Sequence, residues 1–116
     1  MENKNIIENK SFEFAVRTVK VYKYLISKNE YVLSKQLLRS GTSIGANVSE
    51  AQRAQSMSDF RAKMNIALKE ANETSYWLKL LYKTDYLTEQ EYISIYNDLD
   101  EIISILTAIC KTTEHK

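Results

Sequence analysis

Residues 36–55 read QLLRSGTSIGANVSEAQRAQ. Both glycines of the chain, Gly41 and Gly45, fall in this stretch, and there is no proline anywhere. Each glycine costs a helix interior about 1 kcal/mol relative to Ala. The pair therefore marks either a phosphate-cradling break or a helix that a neighbour must approach closely. Apolar phase separates the two readings. Leu33, Leu37, Ile44, Val48 and Ala51 hold one helical period straight through both glycines, which predicts a single helix from about Tyr31 to Gln55. A P-loop needs four residues between its glycines, then Lys and Ser/Thr. GTSIG has three, Ala46 and Asn47 follow, and no apolar strand precedes. Gly41, Gly45 and Ser49 line one side of the helix, and Ser40, Ser43, Ala46 and Asn47 add further small side chains. The expectation is close packing, with Trp77 or a tyrosine of the same chain or of another copy as the filler.

Three more amphipathic stretches surround this one. Phe12, Ala15, Val19, Tyr22 and Ile26 share a face between about Ser11 and Ser27. Phe60, Met64, Ala67, Leu68, Ala71 and Leu78 do so between about Ser58 and Lys83, with Ser56 or Ser58 as the N-cap. From Thr88 to about Lys111, TEQE at 88–91 matches a capping box. Tyr92, Ile95, Leu99, Ile102, Leu106 and Ile109 then form one stripe, and Cys110 runs in phase with it as a small buried hydrophobe. Short connections favour antiparallel neighbours. The chain of 116 residues thus reads as one all-α domain, an antiparallel up-and-down four-helix bundle.

Ile66, Trp77, Leu80 and Leu81 make a second apolar stripe on the third helix, with Glu70 and Glu73 among them. A helix with two apolar faces takes a second partner, and Trp is enriched at interface hot spots. The plainer alternative is a wide core face that takes in Trp77. Glu70 and Glu73, with Asn47 and Glu50 of the second helix, read either as solvated side chains or as an interface network in which Glu meets Arg39 or Arg53.

Catalysis has little to work with. The one histidine, His115, and the one cysteine, Cys110, supply neither a zinc ligand set nor a nucleophile–base pair. The Glu-x-x-His motif of di-iron bundles is missing. No enzyme activity, metal or cofactor is expected. A lone cysteine fits a reducing compartment, MENKNIIENK reads as polar rather than as a secretory signal, and no apolar run approaches the roughly 18 residues that cross a bilayer. The expectation is a cytoplasmic protein with no membrane contact.

Net charge is +1, but residues 1–84 carry 14 Lys/Arg against 8 Asp/Glu, and residues 85–116 carry 2 against 7. Arg17, Lys20 and Lys23 on the first helix, Lys35, Arg39 and Arg53 on the second, and Arg61, Lys63 and Lys69 on the third can neutralise phosphates without reading sequence. That makes RNA or DNA a candidate partner. The near-neutral total argues for weak binding by one copy and for avidity in an assembly. The alternative is a protein-interaction module whose Trp77 face holds a protein partner.

LLRSGTSIGANVSEA at 37–51, followed by DFRAKMNIALKEANETSYWLKLL at 59–81, resembles the four-helix-bundle proteins encoded in intervening sequences of bacterial 23S rRNA genes. The likeness runs over nearly the whole chain. It implies a homo-oligomer, a ring of five copies. It also implies kinship with an accessory protein of diversity-generating retroelements, which has a basic surface and works with nucleic acid. No molecular activity is established for the family. Arg39, Ser40, Gly41, Ile44, Asn47 and Glu50, and then Phe60, Ala67, Glu70, Glu73 and Trp77, match the family motif. The resemblance implies packing and assembly roles for them.

Overall fold

The computed structural model describes residues 2–113, with side chains from Ile6 onward. Helices α1 (Glu2–Ser27), α2 (Leu33–Ala51), α3 (Met57–Lys83) and α4 (Glu89–Thr113) follow in order. Each packs on the next, and α1 closes back on α4 less extensively than α2 meets either neighbour. The molecule measures 45 × 20 × 19 Å. At 1.5 Å rise per residue, α3 alone spans ~40 Å, so the bundle is one helix tall. The connections at 28–32 and 84–88 lie at one end, and that at 52–56 lies at the other.

The glycine helix is continuous, and its neighbour is α1 rather than an aromatic ring. A Cβ on Gly41 would sit 2.7 Å from Thr18 Cγ2, and one on Gly45 would sit 3.0 Å from the carbonyl oxygen of Ser11. Helix backbones therefore approach directly, and the expectation of Trp77 or a tyrosine as filler is corrected. Ser11 and Thr18 are buried, and both hydroxyls are satisfied within α1. Thr18 Oγ1 donates to the Phe14 carbonyl at 2.8 Å, and Ser11 Oγ donates to that of Glu8 at 3.2 Å.

The same contact rotates α1 away from the face its apolar pattern suggests. The core takes Ile7, Phe14 and Leu25, with Ser11 and Thr18 on the same side. Of the expected stripe, Phe12 is 68% exposed, Val19 is exposed, and Ala15, Tyr22 and Ile26 are half-buried. Small hydroxyl side chains read as polar in sequence, yet only small ones fit opposite glycine. The helix also begins at Glu2, well before Ser11.

Elsewhere local chemistry sets the ends. α2 begins two residues later than expected and stops at Ala51, which leaves Arg53 in a connection. Ser56 caps α3, its side chain accepting from the Asp59 N–H at 3.0 Å. Thr88 and Glu91 form the reciprocal capping box of α4, at 2.9 and 3.1 Å. Glycine is spent on packing, so α1 and α3 end on left-handed Asn29 (φ 65°) and Asp85 (φ 71°) instead. There the N–H groups of Glu30 and Tyr86 reach back to the carbonyls of Leu25 and Leu81, the Schellman arrangement that glycine usually serves.

The remaining core follows the predicted stripes of α3 and α4. Phe60, Met64, Ala67, Ala71 and Leu78 are buried, as are Ile95, Leu99, Ile102, Leu106 and Ile109. Leu81 is fully buried and belongs to this core rather than to the second stripe of α3. Cys110 is half-buried against the core, and burial raises its thiol pKa. Among the described residues, every buried side-chain N or O atom has a hydrogen-bond partner. Among them, too, no helix is long and apolar enough to cross a membrane.

Candidate nucleic-acid interface and assembly face

Two surfaces gather the residues singled out above. The first is the end of the bundle carrying the connections at 28–32 and 84–88. Between Phe14 and Ser49 the chain has six cations, Arg17, Lys20, Lys23, Lys28, Lys35 and Arg39, and one acid, Glu30. The antiparallel α1–α2 hairpin places Lys20, Lys23, Lys28, Lys35 and Arg39 around this end, and none of the five forms an ion pair among the described residues.

The single acid of that hairpin stretch is withdrawn from the surface. Glu30 is buried, and its carboxylate accepts from the N–H groups of Ser34 at 2.6 Å, Leu33 at 3.0 Å and Val32 at 3.3 Å. Burial pushes its pKa up, but those backbone donors and the Ser34 hydroxyl outweigh burial and hold it below the usual carboxylate value. Glu30 thus caps α2 and offsets the partial positive charge of that helix terminus. Lys20, Lys23, Lys28, Lys35 and Arg39 are left on the hairpin side of this end without an ion-pair partner among the described residues, while exposed Asp85 and Glu89 stand at the 84–88 connection and the start of α4. Exposed Tyr31 and Val32 project at the hairpin tip, and Tyr24 is exposed beside it.

Not every predicted cation joins this end. Arg17 is held by α4: Nη1 bonds Asp98 Oδ2 at 2.6 Å, and Nη2 bonds Ser94 Oγ at 2.6 Å. Lys10 pairs with Glu101 at 3.1 Å across the same seam. The acidity of α4 is therefore partly cancelled inside the molecule by α1. Lys63 pairs with Glu50 at 3.0 Å, and Arg61 donates to the Thr113 carbonyl at 3.1 Å. Arg61, Lys63 and Arg53 lie toward the opposite end. Lys28 and the sequestration of Glu30 were missed from sequence. An acid followed within four residues by the first turn of a helix is the signal that was available for Glu30.

The second surface is the flank where α2 and α3 meet. Asn47 donates from Nδ2 to the Ser43 carbonyl at 2.9 Å. Glu73 Oε2 accepts from Trp77 Nε1 at 3.0 Å, and the Trp77 and Tyr76 rings meet edge to face at 5.1 Å. Tyr76 is 61% exposed, Ile66 is exposed, and Trp77, Glu70 and Leu80 are half-buried. Within one chain, Glu50 and Glu73 have Lys63 and Trp77 as partners, so neither depends on Arg39 or Arg53. Gly41 and Gly45 belong to the α1–α2 seam instead. Deep in the α2–α3 seam, the Ser40 and Thr74 hydroxyls are hydrogen-bonded at 2.9 Å. Among the described residues no group of His, Cys, Asp and Glu is placed to hold a metal ion, and His115 lies outside those residues.

No curated protein is significantly similar to the chain. A crystal structure of a protein of unknown function from the S23 ribosomal protein family of Bacteroides thetaiotaomicron VPI-5482 is 57% identical to it. That likeness covers 94% of this chain and 98% of that one, with a TM-score of 0.92. That protein's description names no catalytic activity. With four helices in place and its sequence matching the family model over residues 3–108, the chain belongs to the 23S rRNA-intervening sequence protein family.

Proposed function

We propose that the chain is a non-enzymatic, self-assembling scaffold whose basic end carries RNA or DNA. One observation carries the nucleic-acid part: the α1–α2 hairpin brings five cations with no ion-pair partner among the described residues to one end of the bundle, and the hairpin's one acid there, Glu30, is buried as a helix cap. Such a surface neutralises phosphates without reading bases. One copy presents few contacts, and several copies joined side by side multiply them by avidity. The exposed Ile66, Tyr76 and half-buried Trp77 support association through the α2–α3 flank. Five copies is the number that the family resemblance implies.

Native mass spectrometry with light scattering tests the assembly. A discrete oligomer that becomes a monomer on Tyr76→Ala/Ile66→Asp supports it, and a monomeric parent removes it. Binding of labelled RNA and DNA across a salt series tests the basic end. Affinity should fall steeply with salt, and Lys20→Gln/Lys23→Gln/Lys35→Gln should flatten the slope. Absence of binding at low salt overturns the nucleic-acid role.

A second reading rests on the same exposed flank, as the seat of a different protein. Capture of a partner that survives nuclease treatment and is lost in Trp77→Ala supports that reading over self-assembly.

A further inference from the structure

Beside the basic end, α1 and α4 splay apart around a cleft of about 570 Å³, within the ~300–1,000 Å³ typical of small-ligand sites. Val21, Leu87 and Ile95 give it an apolar floor. Lys20 and Tyr24 form the rim on α1, and Thr88 and Gln90 form the rim on the α4 side. The one acid that lines it, Glu91, is engaged in the capping box with Thr88, and the lining Arg17 is paired with Asp98, while exposed Glu89 stands just outside between Thr88 and Gln90. Lys20 has no ion-pair partner among the described residues, and Lys28 Nζ lies 5.5 Å from the centroid of the Tyr24 ring.

We infer that this cleft takes one unstacked base of a single-stranded nucleic acid, with the flanking phosphates on Lys20, Lys23 and Lys28. The inference rests on the nucleic-acid reading above and narrows its ligand class. A base offers an aromatic face for Tyr24 and the apolar floor, and a hydrogen-bonding edge for the Gln90 amide and the Thr88 hydroxyl. Its phosphates match Lys20 on the α1 rim and Lys28 beside Tyr24. Base–aromatic stacking tolerates any sequence. A duplex keeps its bases paired and stacked, so it must extrude one to fill the cleft, and that costs free energy. The flat basic end alone would not discriminate between the two forms. The cleft supplies the discrimination.

Fluorescence anisotropy of the full chain with a labelled oligothymidine strand, and with a duplex of the same length, tests this at matched low salt. The single strand should bind about tenfold more tightly, the scale of one stacked base. Tyr24→Leu, and separately Gln90→Trp to plug the cleft, should each remove that preference while duplex binding is unchanged. Tyr24→Phe should retain it. Both positions are exposed at the rim, and circular dichroism checks that each variant folds. Equal affinity for strand and duplex overturns the inference and leaves the nucleic-acid role standing. So does full single-strand affinity in both Tyr24→Leu and Gln90→Trp. Failure of both probes to bind overturns that role and the inference together.

Discussion

Helix α1 is held on its two sides by opposite means. Against α2 the fit is tight: Gly41 leaves no room for a Cβ beside the Thr18 side chain and Gly45 none beside the Ser11 carbonyl, and the hydroxyls there are buried and satisfied. Against α4 the seam is open, spanned by Lys10–Glu101 and Arg17–Asp98 and lined by clefts. Steric fit tolerates almost no change, whereas partly exposed ion pairs tolerate a great deal. The cleft accordingly lies on the open side, next to the basic end, and the tight side fixes the register that positions both.

Filling the tight seam should have the largest effect. Gly45→Leu forces a branched side chain against the α1 backbone and should destabilise the fold by about 3 kcal/mol in urea denaturation. A variant as stable as the parent would show that the backbones need not approach. Gly41→Ala meets only a threonine side chain, and helix propensity offsets part of the clash, so a loss of about 1 kcal/mol is expected. Combining it with Thr18→Ala should recover stability relative to the sum of the single changes, a coupling readable in a double-mutant cycle.

Glu30 ties down the α2 side of the same hairpin. Glu30→Gln should cost about 1 kcal/mol at neutral pH, as loss of a helix cap does. Because its folded pKa lies below the unfolded value, its contribution is complete above the ordinary Glu pKa, about 4.3. That contribution is lost as pH falls through the depressed folded pKa. The difference in stability between parent and variant should therefore shrink on acidification, and a constant difference across that window would assign the cost to packing instead. On the open seam, Asp98→Asn should cost well under about 1 kcal/mol, because both partners are substantially exposed. Its cost should fade further at high salt, and a loss as large as that of Gly45→Leu would erase the contrast between the seams.

What could be read from sequence was what short stretches decide alone. The TEQE box, the Ser56 cap and the apolar stripes of α3 and α4 depend on neighbours three or four residues away, and they are present as expected. The phase of α1 was not legible. Its core face contains Ser11 and Thr18, and nothing within α1 tells that a glycine helix will press upon them. The cations of the basic end were visible as residues. Which of them remain uncancelled depends on α4, more than 70 residues away in the case of Arg17 and Asp98.

By itself, then, the sequence determined that four helices form, that the glycine helix is unbroken, and that family membership follows from the 37–51 and 59–81 stretches. Hydrogen bonding and apolar periodicity inside a helix are local, so they are written in local order. Tertiary structure alone decided which face of α1 is buried, that Glu30 is sequestered, that Lys20, Lys23, Lys28, Lys35 and Arg39 form no ion pair among the described residues, and that a cleft opens beside them. Each of these turns on which side chains distant segments bring into contact, and that is set only when close packing and charge pairing are satisfied across the whole bundle.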